Sequence, residues 1–116
     1  MKPILIAIML LTFSSVAVAH KETEAQKKFI TYFAKELERV GGWPVTWIGV
    51  KGKAGDVFGI NLSGASVEAV GRFERQFIES GNMREQLKAA GFHYVLIATG
   101  VRSVTYPKGE VVIPLD

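Results

Sequence analysis

The sequence predicts a small α+β domain, a two-layer sandwich in which an antiparallel sheet packs on two or three helices. Apolar residues recur at helical spacing in residues 22–40 and again in residues 67–90. Residues 45–62 and 101–115 are rich in β-branched and aromatic residues and are interrupted by turn-forming segments, which is typical of hairpins. The run 93–99 is apolar at odd and even positions, as expected of a central strand covered on both faces. The predicted element order is α-β-β-α-α-β-β-β.

The first element is an amphipathic helix from Glu22 to Val40. Thr23 is a suitable N-cap, and Gly41-Gly42 ends the helix. Its apolar stripe consists of Ala25, Phe29, Ile30, Phe33, Leu37 and Val40. This stripe is expected to enter the core.

A β-hairpin follows, formed by Val45 to Val50 and Val57 to Leu62 around the turn at 51–56. With the loop at the centre of that turn, Val50 lies opposite Val57, and side chains alternate between the two faces of the sheet. One face then carries Val45, Trp47, Phe58, Ile60 and Leu62, and it is expected to enter the core. The opposite face carries Thr46, Ile48, Val50, Val57, Gly59 and Asn61, which is unusually apolar for a solvated face.

Two helices and further strands complete the predicted domain. Ser66 caps a helix from Val67 to Glu79, and the capping box Asn82–Glu85 starts a short helix that reaches Ala90. The strand at 93–99 comes next. A second hairpin is predicted from Val101 to Tyr106 and from Val111 to Leu115, joined across Pro107-Lys108-Gly109-Glu110.

The N-terminus has the pattern of a cleavable signal peptide, residues 1–19, ahead of a single domain, residues 20–116. Lys2 precedes an apolar run at 4–13, and Ala17-Val18-Ala19 has the A-x-A form of a cleavage site. The run is shorter than the roughly 20 apolar residues that a membrane span needs, so no stable span is expected after cleavage, and an uncleaved anchor is the alternative. The short charged region is typical of bacteria and predicts a periplasmic location, with secretion to the medium as the alternative.

Composition excludes several classes of function. The chain has no cysteine, so it cannot be a disulfide scaffold, a thiolate zinc protein or a thiol enzyme. The formal net charge of +3 falls to +2 once Lys2 is removed with the leader, and no basic stripe with interleaved aromatics is present. A nucleic-acid partner is therefore not expected.

The sequence contains no recognisable catalytic constellation. Ser63 and Ser66 do not lie in a G-x-S-x-G motif, and no Gly-Lys-Ser/Thr follows the glycines at 49–59. Carboxylate pairs such as Glu36 with Glu38 fall on predicted helix surfaces. We therefore predict a protein that is not an enzyme and needs no cofactor.

The leading hypothesis is a protein that acts by protein–protein interaction through the second sheet face. Contiguous exposed apolar surface usually marks an interaction site. The candidate partner-binding residues are Trp43, Ile48, Val50, Lys51, Lys53 and Val57. The expected partner is another periplasmic or envelope protein, or a second copy in a homodimer, and coverage by the C-terminal segment of the chain is the structural alternative. An envelope accessory or assembly factor and a small inhibitor or immunity protein both fit.

The alternative is a periplasmic small-ligand or copper-binding protein. Cleavage after Ala19 would make His20 the first residue, whose amine and imidazole could chelate Cu(II), with His93 adding a nitrogen. This arrangement resembles the N-terminal histidine copper sites of some exported proteins. The other interpretation is a frayed polar terminus and an unrelated histidine at a strand edge.

Overall fold

A computed structural model describes residues 22–116, so the predicted leader and His20 lie outside the described residues. The elements in chain order are helix α1 (Glu24–Val40), strands β1 (Val45–Lys51) and β2 (Val57–Leu62), helix α2 (Val67–Phe73) with a π-helical turn (Glu74–Ile78), helix α3 (Met83–Ala89), and strands β3 (Tyr94–Ala98) and β4 (Glu110–Pro114). The helices pack on one face of the sheet. The predicted α+β class is confirmed.

The sheet is mixed, with strand order β1-β2-β3-β4. The outer pairs are antiparallel, but β2 and β3 run parallel, so the prediction of a wholly antiparallel sheet is wrong for the central pair. The physical reason is the helical segment between them. A chain that leaves β2, crosses one sheet face as helices and returns beside β2 enters the new strand in the same direction.

The segment 101–106 does not form the predicted strand. Backbone groups that a ladder would use are instead engaged by side chains: Val101 N–H donates to Thr99 Oγ1 at 2.9 Å, and Tyr106 N–H donates to Ser103 Oγ at 2.9 Å. Such local bonds compete with strand pairing. β4 therefore begins at Glu110 and pairs directly with β3.

The helix starts follow the predicted caps in two of three cases. Thr23 and Gln26 form a complete capping box at α1, and Ser66 Oγ accepts from Ala69 N–H at α2. Asn82 makes no cap bond at α3; its Oδ1 accepts from Gln86 Nε2 instead. Gln26 is also buried and donates from Nε2 to Gly55 O at 2.8 Å, which ties the start of α1 to the turn between β1 and β2.

An aromatic cluster joins the helical layer to the sheet. Phe33 of α1 meets Phe58 of β2 edge-on, with ring centroids 5.0 Å apart, and both side chains are fully buried. The core-facing sheet residues are Ile48, Val50, Phe58, Ile60, Leu62, Val95, Ile97 and Ile113. Their burial provides the main stabilisation of the domain.

The pairing of β1 with β2 differs from the prediction by one residue. Lys51 stays in the strand opposite Val57, and Val50 therefore lies opposite Phe58. Because side chains alternate, this shift turns Ile48 and Val50 toward the helices. Trp47, the neighbour of Ile48, therefore lies on the other face, and a bulge between Val45 and Trp47 keeps Val45 buried as well.

Candidate functional site

The sheet face away from the helices is open, and the strand register places its side chains in three rows. The upper row is Trp47, Asn61, Ala98 and Glu110; the middle row is Gly49, Gly59, Leu96 and Val112; the lower row is Lys51, Val57, Tyr94 and Pro114. We call these twelve positions the open face. Its residues range from half-buried to exposed outside the two glycines.

Trp47 lies flat on the sheet because two glycines leave room for its ring. A Cβ built at Gly49 would lie 2.5 Å from Trp47 Cζ2, and one at Gly59 would lie 2.9 Å from Cζ3. Both distances are shorter than real contacts, so neither position accepts a side chain while the indole stays in place. Neither glycine has a positive φ, so it is the ring and not the backbone that requires them. A glycine within a strand lowers the stability of the fold by roughly 0.5–1 kcal/mol relative to alanine, so the space for the ring is obtained at a loss of stability.

Lys51 lies over the same surface. Its Cγ and Cδ would be 3.0 and 2.9 Å from a Cβ at Gly59, and its ammonium nitrogen is 5.1 Å from the centroid of a Trp47 ring. That distance is within the range of a cation–π contact. The lysine stem therefore runs along the sheet toward the upper row and presents its charge beside the indole.

The indole N–H of Trp47 is buried and has no hydrogen-bond partner among residues 22–116. An unpaired buried donor is unfavourable, typically by about 1–3 kcal/mol. The position of the ring is therefore set by packing on Gly49 and Gly59, and not by a polar contact.

A groove of about 590 Å³ opens at the upper row, between Trp47 and the loop at 99–109. Its lining includes Lys51, Asn61, Lys108 and Glu110. Neither lysine forms an ion pair within the part of the chain that the structure describes. The groove thus combines the indole ring of Trp47 with two lysines that form no ion pair among the described residues.

The remainder of the open face is apolar and accessible. Tyr94 is 42% exposed and Val112 is 58% exposed, and Leu96 and Val57 are half-buried between them. Trp and Tyr are the residue types that most often dominate binding energy at protein interfaces. Together with Trp47 these residues form an apolar area bordered by the charged groove.

The structure keeps some of the predicted partner-binding residues at the open face and removes others. Ile48 and Val50 are in the core, 0% and 2% exposed, so their placement on a free surface is wrong. Val57 and Lys51 do lie on the open face, and Lys53 is exposed in the adjoining turn.

Trp43 lies on the helical side of the sheet. Its ring meets Phe73 edge-on at 5.1 Å and Phe77 at 6.3 Å. It therefore covers the aromatic core and does not belong to the open face.

Sequence reasoning missed Trp47, Tyr94, Leu96 and Val112 as members of the open face. The signal for Trp47 was present in the glycine two residues after it, because an aromatic residue with a strand glycine as its same-face neighbour can lie across the sheet. Tyr94, Leu96 and Val112 could be placed only with the strand register known.

The second predicted metal ligand, His93, has Asp56 as its neighbour, with Nδ1 3.2 Å from Oδ2. No group of three or more metal-ligating side chains occurs within residues 22–116. Since His20 is outside this range, the copper site stays a prediction.

A second cluster of charged groups lies where the helical layer meets the end of β4. Arg84 donates two hydrogen bonds to the Glu79 carboxylate, at 2.8 and 2.9 Å, and a third to Pro114 O at 3.1 Å. The bond from Arg84 lowers the pKa of Glu79. Burial raises the pKa of the Glu74 carboxyl, and the negative charge of Glu79 raises it further.

We expect Glu74→Gln to increase the free energy of unfolding near neutral pH, by less than about 1 kcal/mol for a partly solvated group. A carboxyl whose pKa is raised in the folded state favours folding when protonated, and this contribution is lost as the pH rises through the folded pKa. The advantage of the variant should therefore shrink as the pH is lowered to about 4, near the ordinary pKa of a glutamate. Urea unfolding of both proteins across this range measures the difference. Glu85→Gln, on exposed α3 surface, is the control, and an equal gain in that variant would contradict the assignment.

No protein-family model, curated protein or solved structure matches the chain. Within residues 22–116, no helix combines the length and the apolar character needed to cross a membrane.

Proposed function

We propose that this is an exported, non-enzymatic protein that acts by binding another protein through the open face. The observation that carries the proposal is the asymmetry of the sheet. Helices cover one face, while the other leaves Tyr94 and Val112 exposed on β3 and β4 and the ring of Trp47 recessed on the glycines of β1 and β2. Apolar surface of this kind, bordered by charged residues, is characteristic of interaction sites.

The chemistry of the open face favours binding over catalysis. Its twelve positions include one carboxylate, Glu110, and no histidine, serine or threonine. Nucleophilic catalysis needs at least a nucleophile with a base within hydrogen-bond reach. A rigid sheet with aromatic anchors instead suits recognition of a preformed surface.

The proposed location is the periplasm, with the extracellular medium as the alternative, and it rests on the leader pattern at residues 1–19. In that compartment an accessory or assembly factor of the envelope, or a small inhibitor or immunity protein, would act through such a face.

The experiment is site-specific photocrosslinking in cells that produce the full chain. A photoreactive residue at Val112 should crosslink to a second protein, and one at Lys35 on exposed α1 surface should not. Adding Tyr94→Asp to the Val112 probe should reduce the crosslink by at least about tenfold, the equivalent of 1.4 kcal/mol.

The crosslinked product also identifies the partner type, because a second copy of the chain gives a dimer mass and another protein does not. Equal crosslinking at positions 35 and 112, or a yield unaffected by Tyr94→Asp, would contradict the proposed function.

A further inference from the structure

We infer that the groove at the upper row of the open face receives a carboxylate from an acidic segment of the partner protein. This inference rests on the proposed function and names the chemistry that the partner presents. It combines three features of the groove: its two ammonium groups, the fixed position of one of them, and the charge around the open face.

The two lysines of the groove differ from the charged residues that are already paired. Arg84 is satisfied by Glu79 at 2.8 Å, and His93 has Asp56 at 3.2 Å. Lys51 and Lys108 line one groove and form no ion pair among residues 22–116. Two ammonium groups that share a groove attract an anion more strongly than either does alone.

Lys51 is also held in position before any partner arrives. Its stem lies against Gly59, and its ammonium group sits 5.1 Å from the Trp47 ring centroid. An exposed lysine ordinarily loses conformational freedom when it binds an anion. Here part of that loss has already occurred in the free protein, so the site is preorganised for an acidic group.

The charge of the region favours a different protein over a second copy. The groove and the turn between β1 and β2 carry Lys51, Lys53 and Lys108 against Asp56 and Glu110, and Asp56 already contacts His93. These five groups carry a net charge of +1, three lysines against two carboxylates, so two copies facing each other would bring like net charge together, which is unfavourable. An acidic surface on another protein complements them.

The surroundings of the groove favour a peptide over a simple polyanion. Its lining includes the indole of Trp47 and the amide of Asn61, and the open face continues from it into Leu96 and Val112. A peptide with an acidic side chain next to an apolar one matches this arrangement, because the acidic side chain would enter the groove and the apolar one would lie on Leu96 and Val112. A chain of phosphates would place charged oxygens against these apolar side chains, with nothing to gain from them.

The test follows the Trp47 indole N–H resonance by NMR while short blocked peptides are added to the full chain. The probe is a peptide of alternating glutamate and valine, and the comparators are alternating lysine and valine, and inorganic tripolyphosphate. Trp43→Phe assigns the two indole signals. We expect the glutamate peptide to shift the Trp47 signal in a saturable way and the lysine peptide to leave it unchanged.

The deciding variant is the double substitution Lys51→Met and Lys108→Met, because methionine keeps most of the stem and removes the charge. The double substitution should lower the affinity for the glutamate peptide at least about tenfold. The matched control is Lys35→Met with Lys88→Met, both exposed on the helical layer, which removes the same charge from the molecule. The control should change the affinity by less than about twofold, because the sites are remote and long-range charge is screened.

Each contrary result overturns the inference. If the control pair lost as much affinity for the glutamate peptide, the peptide would be attracted by overall charge. Equal affinity for tripolyphosphate would mean an anion site without preference for an acidic segment. An unshifted Trp47 signal would mean that the groove takes no carboxylate.

Photocrosslinking at Val112 in the Lys51→Met, Lys108→Met protein separates the two proposals. If the crosslink persists undiminished while the peptide fails to bind, the groove inference is wrong and the proposed function stands; if Val112 fails to crosslink in the unmodified chain, the proposed function is wrong.

Discussion

Ile48→Asp is expected to abolish the folded state. Ile48 has no exposed surface, lies opposite Ile60 in the sheet and faces the helical layer. An unpaired carboxylate in such a position costs several kcal/mol even after relaxation of its surroundings. This is comparable with the whole stability of a small domain, about 5–15 kcal/mol. Far-UV and near-UV circular dichroism should both lose the native signal.

Val112→Asp is the matched control, since it places the same side chain on the same sheet but on the open face. Val112 is 58% exposed, so its carboxylate remains hydrated and the free energy of unfolding should change by only about 0.5 kcal/mol. The pair therefore tests which face of the sheet is buried. If Ile48→Asp instead unfolded in urea as cooperatively as the unmodified chain, β1 would have the register with Val50 opposite Val57, and the open face described above would be wrong.

The elements that local patterns determine were predictable. The stripe of Phe29, Phe33 and Leu37 could only be a helix face, and Thr23 and Ser66 act as caps through contacts within three residues along the chain. The two strands of the first hairpin were also predicted, because turn-forming residues separate two runs rich in β-branched and aromatic residues.

The features that depend on contacts distant in sequence were not predictable. The parallel pairing of β2 with β3 depends on where the helical crossover returns the chain, and both directions suit a strand as apolar as Val95 to Ile97. The loop at 101–106 has a sequence compatible with a strand, yet Thr99 and Ser103 supply the hydrogen bonds that its backbone would otherwise seek in the sheet.

The candidate site was predicted in kind but only partly in its residues, since Lys51 and Val57 lie on the open face as predicted. An apolar second face was inferred, and the structure has one, but a one-residue change in register exchanges its members. Ile48 and Val50 leave it, and Trp47 joins it, because Lys51 stays in the strand opposite Val57. A hairpin in which both alternating sets are apolar does not reveal which set is buried, since either register hides enough apolar surface.

The effect of Gly49→Ala on the free energy of unfolding is expected to change sign with the residue at position 47. The substitution should destabilise the unmodified chain and stabilise a chain that carries Trp47→Ala. In the unmodified chain the new methyl group would lie 2.5 Å from Trp47 Cζ2, so the ring must move away from the glycines or the strand must shift. Overpacking of this kind costs typically about 1–3 kcal/mol. In a Trp47→Ala background the ring is gone and Gly49 has no positive φ, so alanine fits its backbone. There Gly49→Ala should stabilise the fold by about 0.4–1 kcal/mol, because it restricts the unfolded chain.

A double-mutant cycle by urea unfolding measures both terms, and the coupling energy expected between positions 47 and 49 is their difference, about 1.4–4 kcal/mol. The fluorescence of Trp47, isolated by Trp43→Phe, should shift to the red in Gly49→Ala as the ring moves into water.

This displacement would also take the indole ring out of the groove and deprive Lys51 of its cation–π partner. The glutamate peptide should therefore bind more weakly, although both lysines remain. If Gly49→Ala had the same effect on stability in both backgrounds, the indole would not lie on the glycines, and the preorganisation of Lys51 would lose its basis.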